Sequence, residues 1–136
     1  MIQDICDTGK DILELLPALC NKREEARLKL AHLLELIGHV VKDAADKFRQ
    51  GELPVAPGQQ LELLSEELYF RLAFCVGEMK ARTLAEKLKS GYVVEQRKHD
   101  LARIRFNNYD LTKLEDAADY FLASANKLHS AINTEV

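Results

Sequence analysis

The stretch LELLSEELYFRLAFCVGEMKARTLAEKLK, from Leu61 to Lys89, decides the fold that this sequence predicts. It contains no proline and one glycine, so a single long helix is expected. At 3.6 residues per turn, one face of that helix collects apolar residues at spacings of three and four. This pattern is typical of a helix packed on a core. The residues on this face are Leu61, Leu64, Leu68, Leu72, Cys75 and Met79.

A second apolar stripe lies on the opposite face of the same predicted helix. Its members are Leu63, Phe70, Phe74, Ala81, Leu84 and Leu88, with Gly77 among them. A helix that is apolar on two sides is either central in its domain or covered by a partner. We therefore expect one of two covers, the first helix of this chain or a second copy of the chain, with Gly77 and Ala81 allowing close approach. In the second case the stripe supplies an interaction surface made of Phe70, Phe74, Leu84 and Leu88.

Two helical regions are predicted before this stretch. The first covers Ile2 to Cys20, with a weak point at Gly9 and one apolar face made of Ile2, Ile5, Ile12, Leu16 and Leu19. It should kink or end near Pro17, because the proline ring clashes with the preceding turn of a helix. The second follows an N-cap at Asn21, with Glu24 three residues later, and runs to about Gln50. Gly51 fits the position that favours a left-handed backbone after a helix. The apolar stripe of the second helix is Leu30, Leu33, Leu34, Ile37, Val40, Val41, Ala44 and Phe48.

The remaining segments are a loop and one or two further helices. Gly51 to Gly58 is predicted as a loop because it contains two prolines. Tyr92 to Phe106 is helical in composition, Asn107 to Asp110 reads as a turn, and a last helix begins near Thr112. Without that turn, one helix would run from Tyr92 to Asn133.

Composition indicates one globular, all-α domain covering residues 1–136. Hydrophobic residues make up 47% and charged residues 30%, and six glycines with three prolines are too few for a turn-rich β fold. Long helices joined by short loops predict an antiparallel bundle of four to five helices. No apolar run reaches the length of a membrane span, and the N-terminus lacks the pattern of a secretory signal. We therefore expect a cytoplasmic protein.

Catalytic motifs are absent from this sequence. Its three cysteines form no CxxC pair, and neither a GxSxG motif nor a glycine-rich phosphate loop is present. Histidines and carboxylates do recur on one stripe of the second helix, opposite its apolar stripe, where we expect them to face water rather than a metal ion. This polar stripe contains His32, Glu35, His39, Asp43 and Asp46. The sequence thus predicts no enzyme, no cofactor and no metal.

The segment HVVKDAA, from His39 to Ala45, resembles the active-site helix of histidine phosphotransfer domains. Those domains are also four-helix bundles, in which an exposed histidine is followed by a lysine three residues later. The resemblance implies that His39 accepts phosphate and that Lys42 offsets its charge. Asp43 departs from the pattern, because those domains have a glycine there that leaves room beside the imidazole.

Charge is unevenly distributed along the chain. The net charge is −3, but the segment from Lys80 to Arg105 holds eight Lys or Arg and only three Asp or Glu. A basic patch in this segment could meet an anionic membrane surface, whereas the overall acidity, with a pI of about 5.8, disfavours nucleic acid. The patch consists of Lys87, Lys89, Arg97, Lys98, Arg103 and Arg105.

The function predicted from these features is protein–protein interaction. We expect a non-catalytic bundle that works as an adaptor, assembly or effector subunit, either with a protein partner or as a homodimer formed through the third helix. Two alternatives are a phosphotransfer-like signalling bundle that uses His39 and a bundle that contacts anionic membranes through its basic segment.

Overall fold

The computed structural model describes residues 2–52, 55–89 and 108–131, and these residues form an all-α bundle. The predicted fold class is confirmed, and the described ranges contain no β-strand. The helices are α1 (Ile2–Glu14), α2 (Leu16–Leu19), α3 (Glu24–Arg49), α4 (Val55–Val76), α5 (78–89) and α6 (Asn108–Ser130).

Helices α3 and α6 form the most extensive of the interfaces among α1, α2, α3, α4 and α6. They run antiparallel, since Arg49 at the end of α3 pairs with Glu115 near the start of α6, while Glu35 lies beside His129 at the other end. Helix α1 also packs on α6, α4 packs on α3, and the short α2 contacts both α4 and α6. Lys87 of α5 lies beside Asp11 of α1.

The apolar stripes predicted for the first two helical regions are confirmed, because every member of both is buried. In α1 and α2 the buried members are Ile2, Ile5, Ile12, Leu16 and Leu19. The predicted interruption at Pro17 is also confirmed. Helix α1 ends at Glu14, and the short α2 begins at Leu16 with the proline in its first turn.

Two glycines let α6 approach its neighbours closely. A Cβ atom on Gly9 would lie 3.0 Å from the Cβ of Tyr120, and one on Gly38 would lie 2.8 Å from the Cγ of Leu122. We expected Gly9 to be a weak point of the first helix, yet the helix continues through it. The packing against α6 offsets the low helix propensity of glycine.

The predicted continuous helix from Leu61 to Lys89 is wrong. Gly77 has a φ of +93°, so α4 ends at Val76 and a new helix starts at residue 78. Glycine adopts this left-handed backbone conformation without steric strain because it has no Cβ atom, and this single residue changes the direction of the chain. Met79, predicted to lie on the core stripe, is consequently 87% exposed. Nothing lies within 4 Å of a Cβ atom placed on Gly77, so this glycine brings no two helices of the described chain together, and its part in a contact between two copies stays a prediction.

Several predicted boundaries shift by a few residues. The predicted loop from Gly51 to Gly58 is shorter, because α4 already begins at Val55. Pro57 fits there because the first turn of a helix has backbone N–H groups without helical acceptors, so a missing N–H costs little. Helix α3 begins at Glu24 with Arg23 as its N-cap, rather than at a cap on Asn21. The left-handed backbone predicted for Gly51 is confirmed, with φ +77°.

The last helix also begins earlier than predicted. Helix α6 starts at Asn108, so residues 108–110 are helical rather than part of a turn. The segment 90–107 lies outside the described residues, and with it the question whether one helix runs from Tyr92 to Asn133. Among the described helices, none combines the length and apolarity that crossing a membrane requires.

Candidate interaction surface

One side of α4 carries large apolar side chains that the bundle does not cover. Leu63 is 70% exposed, Phe70 60% and Phe74 87%. These three residues lie within one narrow stripe, at spacings of seven and four residues. We call this stripe the α4 face. Leu61, Leu68 and Leu72 on the other side of the helix are fully buried, so α4 has one face in the core and one in solvent.

A shallow groove runs along each side of the α4 face. The Tyr69 groove separates α4 from α5, encloses about 310 Å³, and is lined by Ser65, Tyr69, Phe70, Arg82, Ala85 and Lys89. The Leu36 groove separates α4 from α3, encloses about 520 Å³, and is lined by Leu28, His32, Leu33, Leu36, Leu64 and Arg71. The α4 face is thus a ridge between two grooves, a shape that interlocks with another helix.

Aromatic and cationic contacts fix the floor of the Tyr69 groove. The Tyr69 and Phe70 rings meet edge to face, with centroids 5.5 Å apart and an interplanar angle of 66°. The Arg82 guanidinium lies 5.1 Å from the Tyr69 centroid, and its Nη2 donates to Tyr69 Oη at 3.3 Å. These contacts hold Phe70 beside the groove in a defined position, while most of its ring stays in water.

The charges beside the α4 face are mixed. Helix α4 carries Glu62, Glu66, Glu67 and Arg71. The neighbouring helices add Lys29, Arg82, Glu86 and Lys89 at the two grooves. Arg71 Nε donates to Glu67 Oε1 at 3.0 Å, one turn away on the same helix. This pair lines the edge of the α4 face that borders the Leu36 groove.

The four residues predicted as an interaction surface do not share one surface. Phe70 and Phe74 are exposed on α4, but Leu84 and Leu88 are 3% and 0% exposed and belong to the core. The turn at Gly77 causes this division, because it points the apolar side of α5 inward. The first helix of the chain therefore does not cover Phe70 and Phe74. Their role in binding remains a prediction.

The structure describes only two of the six residues predicted to form a basic patch. Lys87 is half-buried, with its Nζ 3.7 Å from Asp11 Oδ2 on α1, and Lys89 is exposed at the Tyr69 groove. Arg97, Lys98, Arg103 and Arg105 lie outside the described residues. The two described lysines point to different sides of α5, so they do not form one cluster by themselves.

The polar stripe of α3 is exposed or half-buried, as expected, and it gains a neighbour from α6. Glu35 Oε1 lies 3.8 Å from His39 Nε2, and Glu35 Oε2 lies 3.7 Å from Nε2 of His129, which the sequence did not connect to this stripe. Asp46 pairs with Arg49 at 2.8 Å. Within the described ranges, no three His, Cys, Asp or Glu residues are arranged to hold a metal ion.

We expect that His39 does not accept phosphate from a small-molecule phosphodonor. Its imidazole is exposed, but the Glu35 carboxylate beside Nε2 and the nearby Asp43 would repel an incoming phosphate. Incubation of the chain with acetyl phosphate, followed by intact-mass analysis at neutral and acidic pH, should show no acid-labile adduct. Stoichiometric labelling that disappears in a His39→Gln variant would instead support the phosphotransfer hypothesis.

Buried Cys6 and half-buried Cys75 lack the features of nucleophiles. Burial raises the pKa of the Cys6 thiol and of the Cys75 thiol, and nearby lysines only partly oppose this. The thiolate is the reactive form, so burial makes both residues less reactive at neutral pH. Cys20 is half-buried, and all three are free thiols.

Sequence reasoning missed several residues that shape the candidate surface. Leu36 is 41% exposed and extends the apolar surface onto α3. The sequence signal for this exposure was that Leu36 lies outside the apolar stripe of α3. Arg82 was counted only as part of a basic segment, and its contact with Tyr69 could not be read from a spacing of thirteen residues across a turn.

Comparison with protein-family models, curated proteins and solved structures gives no match for this chain.

Proposed function

We propose that this chain is a non-catalytic helical-bundle module that binds protein, as an adaptor, assembly or effector subunit, and that the α4 face is its contact surface. The observation that carries the proposal is the exposure of Leu63, Phe70 and Phe74 in one stripe. Burying one large apolar side chain stabilises by roughly 1.5–3 kcal/mol, so an uncovered face of three forgoes several kcal/mol. A partner that covers the face recovers that free energy.

The size and composition of the surface support a protein partner. At roughly 200 Å² for a large apolar side chain, the exposed fractions of the three residues correspond to on the order of 400 Å² of apolar area. Patches of this size on a monomer are often functional. Phenylalanine is also among the residues enriched at protein interfaces.

Charges of both signs border the face: the two grooves hold Glu66, Glu67 and Glu86 together with Lys29, Arg71, Arg82 and Lys89. This mixture suits a protein partner that presents charges of both signs, whereas an anionic membrane attracts a surface with a clear excess of basic groups. The phosphotransfer hypothesis has no comparable support, because a carboxylate lies beside His39.

Photo-crosslinking in cells tests this proposal. A photoreactive phenylalanine analogue replaces Phe74. The altered chain is then irradiated inside cells of the kind that naturally produce this protein. We expect covalent protein adducts, because a partner covering the α4 face would lie within reach of residue 74. The matched control carries the same analogue at Ala123, an exposed position on α6.

Adducts that form at residue 74 and not at residue 123 would support the proposal. An absence of adducts at residue 74, in chains that are folded and abundant, would contradict it.

A further inference from the structure

We infer that a second copy of this chain covers the α4 face, with the two α4 helices packed antiparallel about a two-fold axis near residue 69. The inference rests on the proposed function and specifies the partner. Three observations carry it: the spacing of the exposed residues, the placement of Glu67 and Arg71, and the area available.

The intervals between successive residues of the stripe are the same in either direction along α4. Leu63, Glu67, Phe70 and Phe74 follow one another at intervals of four, three and four residues. At about 100° per residue they occupy an arc of roughly 60°. An antiparallel copy centred near residue 69 therefore brings Leu63 level with the second copy's Phe74, to within about 1.5 Å along the axis. The two Phe70 rings meet at the centre.

The charged residues fit the antiparallel arrangement. In an antiparallel pair of identical helices, each edge of the contact face lies beside the same edge of the other helix. The edge that carries Glu67 and Arg71 therefore meets the same edge of the second copy. These two residues are equally far from residue 69, on opposite sides of it. Glu67 of each copy therefore lies level with Arg71 of the other, which gives two ion pairs in addition to the 3.0 Å pair within each helix.

A parallel pair would be less favourable. Opposite edges then adjoin, so Glu67 would lie level with the second copy's Glu66. Like charges at this distance repel. The sequence of α4 thus discriminates between the two directions, and it selects the antiparallel one.

The area fits a reversible dimer. The α4 face alone offers on the order of 400 Å² per copy, about half of the ~800 Å² that each partner contributes to a standard interface. The Leu36 and Tyr69 grooves run along its two edges and meet their own counterparts in the second copy. Side chains at the borders of these grooves can supply further area.

Charge reversal tests the pairing at the edge. Glu67→Arg alone or Arg71→Glu alone should raise the dimer dissociation constant on the order of tenfold, because each places like charges opposite one another. The chain that carries both changes restores two opposite pairs and should return to within about threefold of the original value. A double variant as weak as the single ones would overturn the antiparallel register.

Disulfide formation between two variants, each with one added cysteine, tests the register directly. Purified Leu63→Cys and Phe74→Cys chains are mixed in equal amounts and mildly oxidised, and the products are identified by non-reducing mass spectrometry. We expect the mixed disulfide to predominate, since Leu63 of one copy lies beside residue 74 of the other. The unaltered chain measures the background from the native cysteines, and Ala123→Cys mixed with Phe74→Cys measures random collision.

Three outcomes are distinguishable. A predominant mixed disulfide supports the inference. A predominant Leu63→Cys homodisulfide would overturn it in favour of a parallel pair, and no disulfide above the Ala123→Cys control would overturn it altogether. Either contrary result leaves the proposed function standing if photo-crosslinking at residue 74 captures a different protein.

Discussion

Replacing Phe121 with alanine should lower the free energy of unfolding by about 3–5 kcal/mol, the range for removing a buried phenylalanine. Phe121 is fully buried on α6, and its Cε2 lies 3.4 Å from the point where a Cβ on Gly9 would stand. The ring therefore packs directly against α1. Because helix backbones in a packed core relax only in part, most of the vacated volume should remain as a cavity.

The control for this prediction is Phe74→Ala, the same chemical change at a site that is 87% exposed. It should change the free energy of unfolding by no more than about 0.5 kcal/mol when measured on the monomer. Urea titration followed by circular dichroism gives both values, and the slope of the transition should be unchanged. Equal losses at the two positions would show that the described core is wrong.

Replacing Phe74 with glutamate should dissociate the proposed dimer while leaving each copy folded. In the proposed interface each Phe74 meets the second copy's Leu63, so the substitution would place a charge there. The few residues that dominate an interface cost about 2 kcal/mol or more when truncated, and the two-fold axis applies that cost twice. We therefore expect the dissociation constant to rise by at least about a hundredfold.

The matched control for the second prediction is Ala123→Glu, which adds the same charge at an exposed site on α6. It should leave the dissociation constant within about threefold of that of the unaltered chain, because distant surface charges act weakly through water. The circular dichroism spectra of both variants should match that of the unaltered chain. Loss of helicity in Phe74→Glu would show instead that residue 74 supports the fold.

Much of the fold was predictable because helical periodicity reports burial. Every apolar residue assigned to the stripe of α3 is buried, as are Leu61, Leu68 and Leu72 on the core side of α4. The kink at Pro17 and the left-handed Gly51 followed from local backbone chemistry. These signals depend only on near neighbours in sequence.

The candidate surface was only half predictable, and Gly77 is the reason. A glycine inside an apolar pattern is compatible with a continuing helix, and its φ of +93° depends on tertiary packing that the pattern does not encode. Once the helix turns there, Leu84 and Leu88 face the core while Phe70 and Phe74 face water. Contacts across the turn, such as Arg82 with Tyr69, depend on the same choice.

The most direct test of the central claim, that a second copy covers the α4 face, is sedimentation equilibrium of the unaltered chain from low to high micromolar concentration. We expect the average mass to rise with concentration from 15.4 kDa toward twice that value, and the mass of Phe74→Glu to stay at 15.4 kDa throughout. A mass of 15.4 kDa at every concentration for both chains would contradict the claim, as would a dimer that Phe74→Glu leaves intact.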